Sequence, residues 1–350
     1  MIPAAPSTPT MQAPFRSDWR QAWRDAVRDP RELLRLLDLP QLAERLSDAA
    51  AAQFPVRVPR GFVARMQRGD PHDPLLRQVL PLDDEDRIVP GFGLDAVGDA
   101  AATAATGLIH KYRGRALLVA TGSCAVHCRY CFRRHFPYAE QTAARDGWAQ
   151  AIAHLRADAS IHEVILSGGD PLSLASHKLA ELTDALRAVP QLRRLRIHTR
   201  LPVVLPERVD DTLLAWLSDL PWPLAIVLHA NHANEFDADV DAALARLRAT
   251  GASLLNQAVL LRGVNDSVDA QADLAERGFA AGVLPYYLHQ LDRVAGTAHF
   301  EVPDLQARQL HAALAARLPG YLLPRLVREI PGRPGKQPLP GLDEPPHGMP

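Results

Sequence analysis

Six short apolar runs, spaced at helix-length intervals through the middle of the chain, most restrict what it can fold into. They are Ala116–Thr121, Glu163–Ser167, Arg194–Thr199, Leu224–His229, Leu254–Leu261 and Val283–His289. Runs this short and this rich in Val, Ile and Leu read as strands buried on both faces. Between them apolar residues recur at helical spacing, as in Leu179, Leu182, Leu186, Val189 and in Val240, Ala243, Leu244, Leu247. That spacing puts them on one face of a helix. Strands alternating with helices build a parallel sheet. The expected fold is therefore α/β, a partial (β/α)6 barrel, whose active groups gather at the C-terminal ends of the strands. A loop with three cysteines, Gly168-Gly169-Asp170, Thr199-Arg200, His229, Arg262 and Asp292 all fall at or just past the end of a run. A single active face would produce that coincidence.

The chain's three cysteines, Cys124, Cys128 and Cys131, form a CxxxCxxC pattern with no fourth cysteine elsewhere. A disulfide would strand one of them, and nothing in the chain suggests an oxidising compartment. A structural zinc wants four closed ligands, so His127 or His135 would have to complete the set. Inert buried cysteines are the remaining alternative, and the tight spacing argues against it. An iron–sulfur cluster held by three thiolates is the reading preferred, because it leaves one iron open to a ligand.

Composition narrows the function. Lys plus Arg (39) balances Asp plus Glu (40), so no basic field calls for nucleic acid. No apolar run approaches membrane-spanning length. The start of the chain lacks the basic and apolar regions of a signal peptide. A reduced, cytoplasmic location is expected, and it suits an oxygen-sensitive cluster.

Residues 1–15, rich in Pro, Ser and Thr, are expected to be disordered. Residues 16–105 read as an N-terminal helical region, with Trp19, Trp23, Val27, Leu33, Leu34, Leu36 and Leu37 at mixed three- and four-residue spacings. Residues 106–318 form the barrel, ending in a helix over about 303–318, and residues 319–350 form a Pro/Gly-rich C-terminal segment.

The cysteine pattern followed by a strand ending in Gly168-Gly169-Asp170-Pro171 resembles the radical S-adenosylmethionine superfamily. Three further stretches narrow the resemblance to the lysine 2,3-aminomutase family: Arg196 through Val204, Gln257 through Asp266, and Pro331 through Lys336. The similarity runs from about Asp73 to Lys336. It is greatest to the short form that makes β-lysine for modifying elongation factor P.

The resemblance implies that Cys124, Cys128 and Cys131 hold a [4Fe–4S] cluster whose open iron chelates S-adenosylmethionine. Tyr130 would pack near the adenine. Gly168 and Gly169 would let backbone approach that cofactor, and Asp170, Arg200, His229 and Gln257 would contact its polar groups. A tight strand-to-helix turn explains Gly168-Gly169-Asp170-Pro171 equally well, and one turn can serve both ends. Lys336 would bind pyridoxal 5′-phosphate as a Schiff base, although most lysines in Pro/Gly tails are simply solvated. Lys111, Tyr112 and Arg115, placed just before the first strand, would cradle the phosphate; a basic, solvated strand approach is the alternative.

For the substrate, Arg133 would fork the α-carboxylate, and Asp292 and Glu329 would grip a side-chain ammonium. Exposed salt bridges are the alternative for both acids. Long-form members have Asp where Glu329 stands. They also carry extra cysteines for a structural zinc; here the core position is Ser267, so zinc is not expected. The implied reaction moves the α-amino group of lysine to the β-carbon, with a flavodoxin- or ferredoxin-type one-electron donor and a ligase acting on elongation factor P as functional partners. Free lysine metabolism, another amino acid such as arginine or glutamate, and a noncatalytic metal-cluster module are the competing readings.

Overall fold

The structure, a computed structural model, describes residues 18–141 and 148–339; the expectation for residues 1–15 lies outside them. Ten strands form one sheet in chain order. They are β1 (Thr103–Ala105), β2 (Leu108–Tyr112), β3 (Arg115–Thr121), β4 (Glu163–Gly168), β5 (Arg194–Thr199), β6 (Leu224–Leu228), β7 (Ser253–Val259), β8 (Leu284–His289), β9 (Arg325–Arg328) and β10 (Gln337–Pro338). Strands β3 to β9 are parallel throughout. Antiparallel pairs close the two edges, β1–β2–β3 on one side and β9–β10 on the other. Among the described residues no pairing joins β1 to β10, so the sheet they form stays open.

Strands β3 to β8 coincide with the six apolar runs. All six residues of β4 are buried, as expected of a strand covered on both faces. The helices Ser176–Leu186 and Ala238–Ala249 bury Leu179, Leu182, Leu186 and Val240, Ala243, Leu244, Leu247 against them. Side-chain caps fix where helices begin. Asp210 accepts from the Leu213 N–H at 2.7 Å, and Asp237 from the Val240 N–H at 2.9 Å. Ser267 caps the helix Val268–Ala280 by accepting from the Ala270 N–H at 3.1 Å. A hydroxyl is a preferred group at that place.

Three differences from the sequence expectation matter. The first concerns the N-terminal region, where Pro55, Pro59, Pro71 and Pro74 are expected to break the chain into short pieces and the helical stretch ahead of them is divided as well. The region breaks into pieces such as Trp19–Arg24, Pro30–Leu36 and Pro74–Arg77, because Pro30, Pro40, Pro55, Pro59 and Pro74 each start or stop a segment. β1 also falls within its expected bounds. Next, Lys111 and Tyr112 lie in strand β2, where they were expected on the approach to the first strand. Finally, β9 adds a seventh parallel strand that ends immediately before Glu329. Four residues are too few for periodicity to reveal. The last helix runs Asp304–Arg317, close to expectation.

Candidate active site

A cavity of about 360 Å³ lies at the C-terminal ends of the parallel strands. Cys124, Cys128, Cys131, Tyr130, Arg133, Gly168, Gly169, Asp170, Arg200, His229, Gln257, Lys111, Tyr112, Arg115, Asp292, Glu329 and Lys336 all line it. Arg262 does not join them; its Nε donates to the Glu301 carbonyl at 2.9 Å on the exposed surface.

The cysteine loop leaves β3 and is clamped by the N-terminal region. The His127 N–H donates to the Arg57 carbonyl at 3.1 Å, and Arg57 Nη1 donates to the Cys124 carbonyl at 3.1 Å. Buried Glu85 holds Arg129 through two hydrogen bonds, at 2.7 and 2.6 Å, and also accepts from Arg134 Nη2 at 2.7 Å. Neither histidine of the loop is placed as a fourth metal ligand. His127 Nδ1 sits 2.6 Å from the Pro55 carbonyl with its ring stacked on Phe54, and His135 Nε2 meets the Ala295 carbonyl at 3.2 Å. Burial pushes the Cys131 thiol up to about 11, with the Cys128 sulfur adding to the effect, so metal binding there releases protons. Glu85→Ala is expected to cost about 3–5 kcal/mol, since it strands two buried guanidinium groups. The measurements are the melting temperature and the iron retained after anaerobic reconstitution, and unchanged values of both would contradict the clamp.

The glycines at the end of β4 have a reason the sequence did not show. Gly168 has φ +121°, and a Cβ there would lie 2.4 Å from the Thr121 carbonyl oxygen. A Cβ on Gly169 would meet the Ser123 carbonyl oxygen at 2.4 Å. Gly168 thus lets the end of β3 lie against β4, and Gly169 does the same for the backbone of the cysteine loop, a closer constraint than approach of a cofactor. Asp170 is likewise occupied. Its carboxylate accepts from Thr199 Oγ1, the Arg200 N–H at 2.7 Å, the Leu201 N–H at 3.0 Å and the Leu172 N–H at 3.1 Å. It ties the end of β4 to the end of β5, where the cofactor-contact expectation had left its oxygens free.

Arg200 reaches the cysteine loop directly. Its Nη1 donates to the Cys128 sulfur at 2.7 Å and to the Tyr130 hydroxyl at 2.6 Å, and its Nη2 to Gln78 at 2.7 Å and Glu235 at 2.9 Å. The Tyr130 hydroxyl meets His229 Nε2 at 2.9 Å, and the two rings stack. Burial lowers His229 to about 3, which keeps the imidazole neutral. Gln257, on β7, lines the same cavity.

At that far end five charges alternate. Arg133 Nε donates to Asp99 Oδ2 at 2.7 Å, and Asp99 Oδ1 lies 2.6 Å from Lys111 Nζ. Lys111 continues to Glu329 Oε1 at 3.1 Å, and Glu329 Oε2 accepts from Lys336 Nζ at 2.7 Å. A further bond from Lys111 to the Val97 carbonyl uses its third proton. The phosphate cradle expected of Lys111 is thus already committed, while Arg115 stacks over Tyr112 at 4.5 Å. Burial alone would raise Glu329, but the Lys336 and Lys111 ammonium groups hold it at about 2. Asp292 has no ion-pair partner among the described residues, and burial pushes it up to about 7. His198 also lines the cavity, with Nε2 buried and unpartnered. An orphaned ring nitrogen beside so many cations fits a polar, anionic organic group such as pyridoxal phosphate.

Sequence reasoning missed Asp99, Gln78, Glu235 and His198. Asp99 falls in a Pro/Gly-containing stretch without periodicity, and Glu235 in a polar turn after β6; neither carries a local signal.

Comparison with known proteins agrees with this geometry. Residues 113–195, which include the cysteine loop, match the family model described as a 4Fe-4S single cluster domain. The L-lysine 2,3-aminomutase of Escherichia coli (strain K12) is 48% identical over 331 residues, covering 94% of this chain and 96% of that protein. The protein of the same name from Haemophilus influenzae is 44% identical over 319 residues, covering 91% of this chain and 94% of its own. That of Clostridium subterminale is 30% identical over 324 residues, covering 92% of this chain and 78% of its own. With relatives this similar over nearly their whole length, and three open-sited cysteines at the mouth of a partial barrel, the chain belongs to the lysine 2,3-aminomutase family of radical S-adenosylmethionine enzymes.

Proposed function

We propose that this protein is a pyridoxal phosphate-dependent L-lysine 2,3-aminomutase that converts (S)-α-lysine to (R)-β-lysine, and that a ligase then attaches the product to elongation factor P. One observation carries the reading: a single cavity joins the three cysteines to an end built of Lys336, Glu329 and Asp292. The greater identity to the Escherichia coli relative, 48% against 30% for the clostridial one, supports the short-form assignment. A flavodoxin- or ferredoxin-type protein would supply the single electron.

When bound, the cluster and S-adenosylmethionine supply a carbon radical that removes and returns a hydrogen, and pyridoxal phosphate supplies the carbonyl carbon that carries the migrating nitrogen. The chain's own residues position the rest. Lys336 offers its amine to that carbonyl carbon, and Arg115 offers donors for the phosphate, the Tyr112 hydroxyl being engaged with Glu329 until that contact opens. Arg133 spends Nε on Asp99 and Nη1 on Ser167, at 3.2 Å, which leaves Nη2 for the substrate carboxylate. Glu329 Oε2 holds the Lys336 ammonium in the ligand-free arrangement. Once Lys336 turns away, that oxygen is free to take the distant ammonium of lysine. Asp292 supplies the second carboxylate. The buried, neutral imidazoles of His198 and His289 wall the reacting carbons from water.

Asp292 sets a pH dependence. A carboxyl held near 7 is neutral below that value and cannot pair with an ammonium. The apparent KM for lysine is therefore expected to rise about tenfold per pH unit below 7, and Asp292→Asn should abolish the slope. The stability effect has the opposite sense to a salt bridge. The folded state keeps a proton that the unfolded chain releases near 4, so this group costs stability as pH rises from about 4 to about 7. A flat KM profile in the wild type would remove Asp292 from the substrate site.

The function is tested by anaerobic incubation with reductant, S-adenosylmethionine, pyridoxal phosphate and a panel of α-amino acids, with products resolved by mass spectrometry and chiral chromatography. β-Lysine from L-lysine alone is the expected result. Preference for arginine or glutamate, or protein lacking both a cluster band and a pyridoxal band, would overturn the reading. Adding elongation factor P and its ligase then tests the destination of the product.

A further inference from the structure

We infer that His110, His154 and Asp158 form a binding site for a late first-row divalent cation of the zinc type, apart from the cavity and from the cysteines. One ligand atom from each of the three lies within 4.8 Å of the other two, and no other such group occurs among the described residues. His110 stands on β2. His154 and Asp158 lie in the last turn and at the C-cap of the helix Ala149–Ala157. All three are half-buried.

The local contacts point to a missing partner. His110 Nδ1 is 3.8 Å from Asp158 Oδ2, beyond hydrogen-bonding reach. His154 Nε2 is buried with no hydrogen-bond partner. The two rings meet edge-on at 81°, with centroids 5.9 Å apart. Asp158 Oδ1 accepts the Ser160 N–H at 2.9 Å, which orients the carboxylate. Hydrogen bonds from Ser160 also hold Asp158 below the usual carboxylate range, so it is anionic at neutral pH.

The donor set decides the class of ion. Two imidazoles and one carboxylate suit zinc and its neighbours, whereas calcium and magnesium prefer all-oxygen sites. A tetrahedral zinc with bonds of about 2.0–2.1 Å sets its ligand atoms roughly 3.4 Å apart. Small side-chain rotations from the 3.8 Å between His110 and Asp158, and from separations that are all within 4.8 Å, reach that spacing, with water in the fourth position. The site differs from the cysteine-based zinc, whose ligands this chain lacks. It would staple β2 to the first barrel helix. Ile109 and Lys111, the neighbours of His110 on that strand, line the cavity while His110 does not. The ion would thus fix the strand that presents Lys111 and Tyr112.

The test uses the full-length, cluster-reconstituted protein, so that the cysteines are already occupied. It is equilibrated anaerobically with buffered micromolar Zn²⁺, and zinc and iron are counted by plasma mass spectrometry. One zinc per chain is expected in the wild type, with a zinc-dependent rise in melting temperature that Mg²⁺ does not reproduce. His154→Gln loses no hydrogen bond, and Asp158→Asn keeps the Ser160 contact, so both variants should fold and retain wild-type iron. Each should bind zinc at least about tenfold more weakly and lose the thermal shift. Substoichiometric zinc in the wild type, or equal zinc in wild type and both variants, would overturn the assignment.

Discussion

Replacing Lys336 by alanine is expected to abolish β-lysine formation and covalent retention of pyridoxal phosphate, while iron content stays at the wild-type value. The separation follows from where Lys336 sits. Its ammonium contacts Glu329 at 2.7 Å and lies 5.8 Å from the centre of the Tyr287 ring, and neither contact belongs to the cysteine loop. On the proposed function, losing it removes the amine that would attack the cofactor carbonyl. Lys336→Arg should keep an ion pair with Glu329 yet fail in the same way, because a guanidinium is not a nucleophile. Borohydride reduction followed by intact-mass analysis is the readout. A pyridoxyl adduct at wild-type level in Lys336→Ala would show that another lysine holds the cofactor. A second signature concerns acid stability. Glu329 is held at about 2 chiefly by Lys336 and Lys111, against the upward push of burial. The stability it confers is present above its unfolded value near 4.5 and is lost as pH falls toward 2. Without Lys336 its carboxyl rises, so acid unfolding should begin at a higher pH than in the wild type.

The parallel core could be read from the sequence because strands buried on both faces leave continuous apolar runs, of which Val164-Ile165-Leu166 in β4 is the clearest. The ends of those strands then located the active face. The physical reasons behind individual residues were less accessible. Glu85 lies in the run Asp83-Asp84-Glu85-Asp86, which looks like a solvated acidic face, yet its side chain is 1% exposed. Its partners Arg129 and Arg134 are distant in sequence, so only the fold brings them together. Gly168 and Gly169 are recognisable as glycines that must be glycine, but the obstructing atoms belong to the end of β3 for the first and to the cysteine loop for the second. Lys111 matched a phosphate-binding segment, and its three protons turn out to be spent on Asp99, Glu329 and Val97. In each case residue type was legible and the partner was not, because long-range pairing leaves no periodic trace.

Asp99 shows what such an unseen partner is worth. It is 3% exposed and stands between Arg133 and Lys111, at 2.7 and 2.6 Å. Burial raises its carboxyl, and the two cations more than reverse the effect, so it stays ionised at neutral pH. Removing one partner of a buried ion pair costs about 3–5 kcal/mol, because the other charge remains unpaired. Asp99→Asn keeps the shape and deletes the charge, leaving Arg133 free to swing from the orientation that presents Nη2 to a carboxylate. If Asp99 positions Arg133, kcat/KM for lysine should fall by about 100-fold or more, with most of the change in KM. Cleavage of S-adenosylmethionine without substrate should persist, since the cysteine loop is held by Glu85 and Arg200. The melting temperature should fall in either case, and a purely structural role would leave KM alone. The arrangement also makes a pH prediction. The stabilisation from Asp99 is complete above about 4 and disappears as acid protonates it, so the wild type and Asp99→Asn should converge in stability at low pH and diverge toward neutrality. Parallel stability curves across that range would mean that Arg133 and Lys111 find their counter-charge elsewhere.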